Sequence, residues 1–377
     1  MKIKILKILS GHDGGGVFTC EKQFISYWRG INIKVDGLIV GEGQSASTYQ
    51  LLVDNAMQAP DMNLQSSDAD NFAHLNNILE SKEYVKRNMH LIDSIKEYDA
   101  IIYRRKYFDY LGGTIAAQNK TNAYWHMPLS VRNIFEKVYF NYRLKKNGII
   151  PIGNSKYSME SLGKICKHFV YPGYDAQRAT GNTKYDLRKK LGIPADATVV
   201  GIAARLKERK AQHLVIESIN DLLQYYPDLH LIIAGGPLES DYAKKCLHLA
   251  SENISNIHFI GHFENVADFY SSINIYINSR LDAEPFGISI AEAMGASLPV
   301  IALQYGGPSE MIINGKNGWL IREATKSSYL ETLKNALVHR DKWEEMGKYS
   351  CERSHEFRSE INAMKFLEII KNDIKNI

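Results

Sequence analysis

A chain of 377 residues exceeds the length at which one hydrophobic core usually stops growing, so two domains with a cleft are the first expectation. Its 45% hydrophobic and 23% charged residues describe a globular protein and exclude a disordered or fibrous one. A formal charge of +4 is too small for the concentrated basic face of a nucleic-acid binder, which excludes that partner and leaves a mild preference for anions.

Short β-branched runs alternate with helix-period segments from end to end, the pattern of βαβ units around parallel sheets, so the expected fold class is α/β with each half doubly wound. The first strand, Ile3–Ser10, runs into Gly11-His12-Asp13-Gly14-Gly15-Gly16-Val17 and then a helical stretch over Phe18–Trp28. Glycines at a strand-to-helix turn let a phosphate approach the backbone beside free N–H groups. The spacing is neither G-x-G-x-x-G nor a Walker loop, which disfavours a dinucleotide dehydrogenase or a P-loop enzyme. A tight turn needing positive φ explains the loop equally well by itself.

Further strands are expected at Ile33–Val40, Ala100–Tyr103, Thr121–Trp125 and Ile149–Gly153, while residues 41–75 carry weak periodicity. Asp68-Ala69-Asp70 spells an Asp-x-Asp metal motif, yet no strand precedes it to present the carboxylates, and a solvated helix start is the better account. His126, in Tyr124-Trp125-His126-Met127-Pro128, reads by itself as a satisfied histidine at a sheet end. Val131-Arg132 to Lys145-Lys146 mixes basic residues with Ile134, Phe135, Val138, Tyr139 and Phe140, and Arg104-Arg105-Lys106 is nearby in sequence. An amphipathic helix with a solvated face explains this segment, and a helix resting on an anionic membrane is the alternative.

Pro and Gly interrupt the pattern from Tyr171-Pro172-Gly173-Tyr174-Asp175 to Gly181-Asn182, ahead of a helix near Lys184. The boundary therefore gives a first domain of residues 1–175 and a second of 176–354. Strands follow at Thr198–Ala203, His230–Ala234, Ile257–Ile260, Ile273–Ile277 and Val300–Ala302, with a helix Leu214–Tyr226 whose apolar face carries Val215, Ile219, Leu222 and Leu223. Ser359 to Ile377 puts Ile361, Met364, Leu367, Ile370 and Ile374 on one stripe, a helix that buries that face.

Arg205 and Lys210 follow strand Thr198–Ala203, and cations at a strand's carboxyl end stand where α/β sheets bind ligands. An arginine fork and a lysine point charge suit a diphosphate, although a charge-rich loop is commonly just solvated. The sharpest local signal is Glu284-Pro285-Phe286-Gly287-Ile288-Ser289-Ile290-Ala291-Glu292. A loop then a helix from Ile288 to Ala296 would separate the two carboxylates by roughly 10 Å, suited to opposite ends of a nucleotide-sugar. Free N–H groups at Phe286–Ile288 would face its phosphates. The competing account is a capping box, with Glu292 returning to the Ser289 N–H, and plain exposure for Glu284.

Cys20, Cys166, Cys246 and Cys351 lie far apart with no Cys-x-x-Cys pair and read as reduced core thiols in a reducing compartment. No signal-length apolar stretch opens the sequence and no run approaches a membrane span, so a cytoplasmic location is expected.

Taken together, the Gly14-Gly15-Gly16 loop, Asn154-Ser155-Lys156-Tyr157-Ser158, Tyr171-Pro172-Gly173-Tyr174-Asp175, Arg205 with Lys210, Ala234-Gly235-Gly236-Pro237, Phe259-Ile260-Gly261 and the pair Glu284 and Glu292 resemble the family 4 retaining glycosyltransferases of GT-B fold. The match is dense from about residue 150 to 322 and thinner before it. It implies two Rossmann-like doubly wound domains facing across a cleft, with the C-terminal helix, residues 355–377, returning to the first. It also implies that Glu292 holds the donor ribose, Glu284 contacts the transferred sugar, and Arg205 and Lys210 grip the diphosphate with backbone at Phe286, Gly287, Ile288, Gly15 and Gly16. The base would lie near His262 and Val266, and His126 would stand near the reacting carbon.

Two departures bear on this. Ala211 stands where the family often has glycine, so that turn is expected without positive φ, and Met127 replaces an acidic residue often seen after the histidine. The function implied is retaining transfer from a nucleotide-sugar, UDP-sugar favoured and GDP-sugar admissible, to a glycan or lipid-linked acceptor in polysaccharide or glycoconjugate synthesis. No metal and no cofactor are expected. The acceptor hydroxyl would attack on the face that the diphosphate leaves, and peripheral contact with the inner face of a membrane would accompany a lipid-linked acceptor. The alternatives are a GT-B-fold nucleotide-sugar epimerase and a non-catalytic sugar-nucleotide-binding protein. Oligomeric state is not legible.

Overall fold

The computed structural model describes residues 3–65, 71–131, 133–181 and 183–375. The Asp68-Ala69-Asp70 motif lies outside the described residues, as do Arg132 and Asn182. The chain divides into two compact units, Met1–Gly173 with Ser359–Ile377, and Tyr174–Arg358.

The first unit carries β1 Lys4–Ser10, β2 Lys34–Val40, β3 Ala56–Ala59, β4 Ala100–Tyr103, β5 Asn122–Met127, β6 Ile149–Gly153 and β7 His168–Phe169. They form one parallel sheet in the order β3-β2-β1-β4-β5-β6-β7. Ile5 and Leu9 of β1 pack with Phe24, Trp28, Ile39 and Tyr124 on one face, and Leu6 and Ile8 with Leu38, Ile101, Tyr103 and Trp125 on the other. A strand covered on both faces needs apolar side chains at successive positions, which is why β1 reads as a run and not as an alternation. Lys7 is the exception inside that run.

The helix Gly15–Gly30 covers the first of these faces, and the helix Ser359–Lys375 lies against it. Phe366 meets Trp28 and Tyr124 at ring distances of 6.0 and 6.1 Å, and Trp28 Nε1 donates to the Ala363 carbonyl at 2.8 Å. The C-terminal helix thus completes the first unit's core. Its buried stripe runs through Ala363, Phe366, Leu367 and Ile370, whereas Ile361, expected inside, is 41% exposed. The aromatic group around Trp28 selects the phase of the helix, which turns Phe366 inward and leaves Ile361 outside.

The second unit carries β8 Thr198–Ala203, β9 Leu229–Ala234, β10 Ile257–Gly261, β11 Ile275–Asn278, β12 Val300–Leu303 and β13 Gly318–Ile321. All pairings are parallel, in the order β10-β9-β8-β11-β12-β13. The helix Gln212–Leu223 buries Val215, Ile216, Ile219 and Leu222 against this sheet. Each such fully buried aliphatic side chain contributes about 1.5–3 kcal/mol relative to exposure. The helix expected near Lys184 is the short turn Leu187–Lys190, capped by Asp186 accepting from the Lys189 N–H.

In both sheets the strand order reverses beside the first strand. Open α/β sheets commonly bind ligands in the crevice at such a point, which here lies outside the carboxyl ends of β8 and β11 in the second unit and of β1 and β4 in the first.

Candidate active site

Beyond β8 the chain carries Arg205 to Lys210, ending in a short 3-10 turn, Glu208–Lys210. Ala211 then takes φ 52° and ψ 28°, so the turn is made with positive φ, contrary to what alanine there suggested. This conformation costs an L-residue roughly 1–2 kcal/mol. Bonds from Lys210 N to Lys207 O at 2.8 Å, Ala211 N to Glu208 O at 3.0 Å and Ser279 Oγ to Lys210 O at 2.6 Å hold it in place. The result fixes Lys210 beside the loop that follows β11.

That loop supplies Arg280 and Glu284. Glu284 Oε2 accepts from Lys210 Nζ at 3.1 Å and from Arg280 Nη1 at 2.6 Å, while Arg280 also donates to Asp282 Oδ1 from Nε at 2.9 Å and Nη2 at 2.5 Å. Burial works to raise the Glu284 pKa, but Lys210 and Arg280 outweigh it and hold the carboxyl below its ordinary value. Lys210 is itself lowered, first by burial and further by Arg280, against the pull of Glu284. Glu284 is thus an ionised carboxylate with both cations on one oxygen, which leaves Oε1 for a ligand hydroxyl.

Its backbone is fixed too. The Gly307 N–H donates to the Glu284 carbonyl at 2.8 Å, and a Cβ on Gly306 would come within 2.1 Å of that same oxygen, so only glycine fits there.

Gly287, at φ 103°, opens the helix Ile288–Gly295, and no side chain caps that helix. Phe286 is buried against Phe357 at 5.9 Å, and Ile288 is half-buried. Glu292 does not form the capping box. Its Oε1 accepts from Arg178 Nη1, and its Oε2 lies 3.0 Å from the Tyr270 hydroxyl. Burial raises its pKa, opposed by Arg178 and Tyr270. His262 is exposed just after β10, and Val266, half-buried, begins the helix Val266–Ser271 that carries Tyr270. Arg205 is exposed, and its side chain has no hydrogen bond or ion pair among the described residues. Its charge is therefore not already neutralised.

Gly15 and Gly16, in the first unit, are exposed at the start of the helix Gly15–Gly30, which no side chain caps. His126 is the histidine that the resemblance sets near the reacting carbon. It is 1% exposed, with Nε2 at 2.7 Å from the Val170 carbonyl and Nδ1 at 2.6 Å from Arg104 Nη2. The carbonyl requires the proton on Nε2 and the guanidinium requires the lone pair on Nδ1, so the ring is neutral and both nitrogens are engaged. Burial and then Arg104 lower its pKa well below the ordinary value. As the ring stands, no nitrogen is left to face a substrate.

The basic character expected around residues 131–146 is also reduced. Arg143 is buried against Asp109 at 2.8 Å, Arg104 is 3% exposed, and Arg105 is tied to Asp13 at 2.6 Å. Burial pushes the Asp109 pKa up to about 6 against the opposing pull of Arg143, so this pair belongs to the core and not to a charged surface.

Residues 183–353 match the family model of glycosyl transferases group 1. The chain is 26% identical over 214 residues, 54% of its length and 50% of the relative, to a D-inositol 3-phosphate glycosyltransferase of Corynebacterium urealyticum. It is 27% identical to a lipopolysaccharide 1,2-N-acetylglucosaminetransferase of Salmonella typhimurium, over 56% of the chain and 58% of the relative. The chain spans about half the length of the curated relatives it matches. Among solved structures it is similar to Anabaena HepE in complex with UDP and glucose, with TM-score 0.79 and 19% identity over 98% of this chain and 99% of that one. It is also similar to WaaG, a glycosyltransferase involved in lipopolysaccharide biosynthesis, with TM-score 0.68 and 15% identity over 98% and 99% of the two chains. These likenesses show the fold: α/β, GT-B, with two Rossmann-like units.

Proposed function

We propose that this chain is a retaining, metal-independent glycosyltransferase that moves a sugar from a nucleoside diphosphate donor, UDP-sugar favoured and GDP-sugar admissible, to a glycan or lipid-linked acceptor. The observation that carries the proposal is the arrangement at the β8–β11 switch point, where Glu284 is held ionised by Lys210 and Arg280 while the Arg205 side chain has no partner among the described residues. Arg205 and Lys210 would take up the charge that develops on the leaving phosphate, helped by N–H groups at Phe286, Gly287 and Ile288. The Glu284 carboxylate would receive hydroxyls of the transferred sugar, Glu292 those of the ribose, and His262 and Val266 would flank the base. Gly15 and Gly16, at the uncapped start of the first unit's helix Gly15–Gly30, are proposed as anion contacts of that unit.

In the proposed step the C1–O bond breaks with its electron pair passing to the phosphate oxygen. The acceptor oxygen bonds to C1, and its proton passes to that phosphate oxygen. Fixed cations already supply positive charge there, which is the reason for proposing transfer without a metal.

A panel of UDP-, GDP- and ADP-sugars, assayed by thermal unfolding with EDTA present, tests the donor assignment. A donor at a hundred times its Kd stabilises by about 2.7 kcal/mol, enough to raise Tm by several degrees. UDP-sugars are expected to give the largest rise, and no shift with any nucleotide-sugar would end the proposal.

A membrane location for the acceptor is supported by the helix Ile134–Lys146, which leaves Ile134, Phe135, Val138 and Tyr142 exposed, Phe135 at 83%. Lys145 and Lys146 are exposed at its end. An apolar stripe with a few cations suits an anionic bilayer surface. The protein is expected to sediment with anionic vesicles at low salt, and Phe135→Glu with Val138→Glu to abolish this; binding unchanged in that variant would refute it.

A further inference from the structure

Glu292 is only 4% exposed, yet it has a cation of its own. Arg178 stands in the short helix Ala176–Thr180, whose N-cap Asp175 accepts from the Arg178 N–H at 3.1 Å. From there its guanidinium reaches Glu292 Oε1. Arg178 also borders a cavity of about 270 Å³ lined by Gln177, Glu264, Asn265 and Val266. One arginine therefore touches both the carboxylate assigned to the ribose and the wall that holds Val266, assigned to the base.

We infer that Arg178 is a positioning residue for the nucleoside: paired with Glu292 Oε1, it holds the carboxylate aimed so that one acceptor site on each oxygen is open to a vicinal diol. The inference rests on the proposed assignment of Glu292 to the ribose. An ionised carboxylate has about four acceptor sites. Arg178 takes one on Oε1 and Tyr270 one on Oε2, which leaves one on each oxygen for the two hydroxyls of a 2′,3′-diol.

A competing arrangement explains why the cation matters. The Tyr270 hydroxyl lies 3.0 Å from Glu292 Oε2 and 3.2 Å from the Ser289 carbonyl, but it has a single proton to give. Were Glu292 protonated, it could donate to the Tyr270 oxygen, and Tyr270 could turn its own proton to Ser289. That neutral state satisfies every local group and removes an acceptor from the ribose. The charged or titratable groups around Glu292 are Arg178 and Asp175 on one side, Tyr270 from the helix Val266–Ser271, and Tyr276 from β11. The helix Trp343–Ser354 meets the helix of Glu292 at Gly295, through Cys351. Arg178 is thus the cation that opposes burial of the Glu292 charge.

Isothermal titration of UDP and of GDP into the parent chain, Arg178→Met, Arg178→Lys and Glu292→Gln, from mildly acidic to mildly alkaline pH, tests this. Arg178→Met is expected to weaken nucleotide binding roughly tenfold near neutral pH, as loss of a charge-assisted hydrogen bond should. Without the cation the Glu292 pKa rises, so affinity should be lost on acidification at a higher pH than in the parent. Arg178→Lys should restore the parent profile, and Glu292→Gln should bind weakly with no such pH dependence. Should Glu292→Gln bind as the parent does, the ribose assignment fails. Should Glu292→Gln weaken binding while Arg178→Met leaves affinity and pH profile unmoved, the ribose assignment stands and the inference about Arg178 is overturned. Absence of any binding by the parent ends both.

Discussion

Alanine at both Arg205 and Lys210 is expected to lower glycosyl transfer by at least about a thousandfold while leaving the unfolding midpoint nearly unchanged. The two halves of that expectation have separate causes. Arg205 is exposed and unpaired among the described residues, so its loss removes no native interaction. Lys210 is paired with Glu284, but Arg280 remains 2.6 Å from the same oxygen, so the carboxylate stays compensated when the lysine goes. Cations that meet charge developing on a leaving phosphate act more strongly in the transition state than in the bound donor, so the loss should fall on kcat more than on KM. A pH signature accompanies it. Burial, reinforced by Arg280, lowers the Lys210 pKa, so its charge, and with it transfer, should fade at a less alkaline pH than for an ordinary lysine. Lys210→Arg keeps its charge there and should flatten that limb. Near-normal turnover in the double alanine variant would defeat the proposal.

How legible these features were in the sequence depended on the range over which each is determined. Strands β1, β8 and β9 carry mostly aliphatic side chains at successive positions because both their faces are covered, and they read directly. The edge strand β3, Ala-Met-Gln-Ala, and the two-residue β7 carry no such run, and β13 opens on a glycine; sheet pairing alone makes them strands. Lys210 and Glu284 were legible because their local surroundings point to a loop at a strand end. Arg280 stands only four residues before Glu284 at the same strand end, a spacing that could have disclosed it. Arg178 and Tyr270 could not be found that way, since they are 114 and 22 residues from Glu292 and meet it only through packing. Ala211 misled for a different reason: alanine disfavours positive φ by an energy that a few tertiary hydrogen bonds exceed. Charge was the least legible property. A lysine or arginine in sequence reads as solvated, yet Lys7, Arg104 and Arg143 are each at most 3% exposed.

Replacing Glu21 with Gln is expected to destabilise the protein by about 3–5 kcal/mol, the usual result of removing one partner from a buried ionic group. Lys7 Nζ lies 2.5 Å from Glu21 Oε2, and Arg104 Nε lies 3.4 Å from Oε1, with all three side chains at most 3% exposed. The group holds two cations and one anion. Among the described residues, Cys20 adds no second anion, because burial pushes its thiol up to about 12 and keeps it protonated, and the neighbouring His126 is neutral. Loss of Glu21 therefore leaves two unopposed buried cations, a change comparable to a large share of a typical domain's stability. Lys7 can relieve it by losing its proton. Burial already lowers its pKa, Glu21 opposes that shift and Arg104 adds to it, so the variant's Lys7 titrates lower still. The folded pKa then lies below the unfolded one, the unfolded chain binds the extra proton between them, and stability must rise as pH climbs through that window. Urea unfolding followed by indole fluorescence suits the measurement, since Trp28 lies 5.7 Å from Lys7 Nζ. The Glu21→Gln deficit should shrink toward alkaline pH, and Lys7→Met added to it should recover part of the loss by removing one of the unpaired charges. A variant that unfolds at the parent's urea midpoint, or a double variant no more stable than Glu21→Gln, would show that the buried charges are not what holds this part of the first unit together.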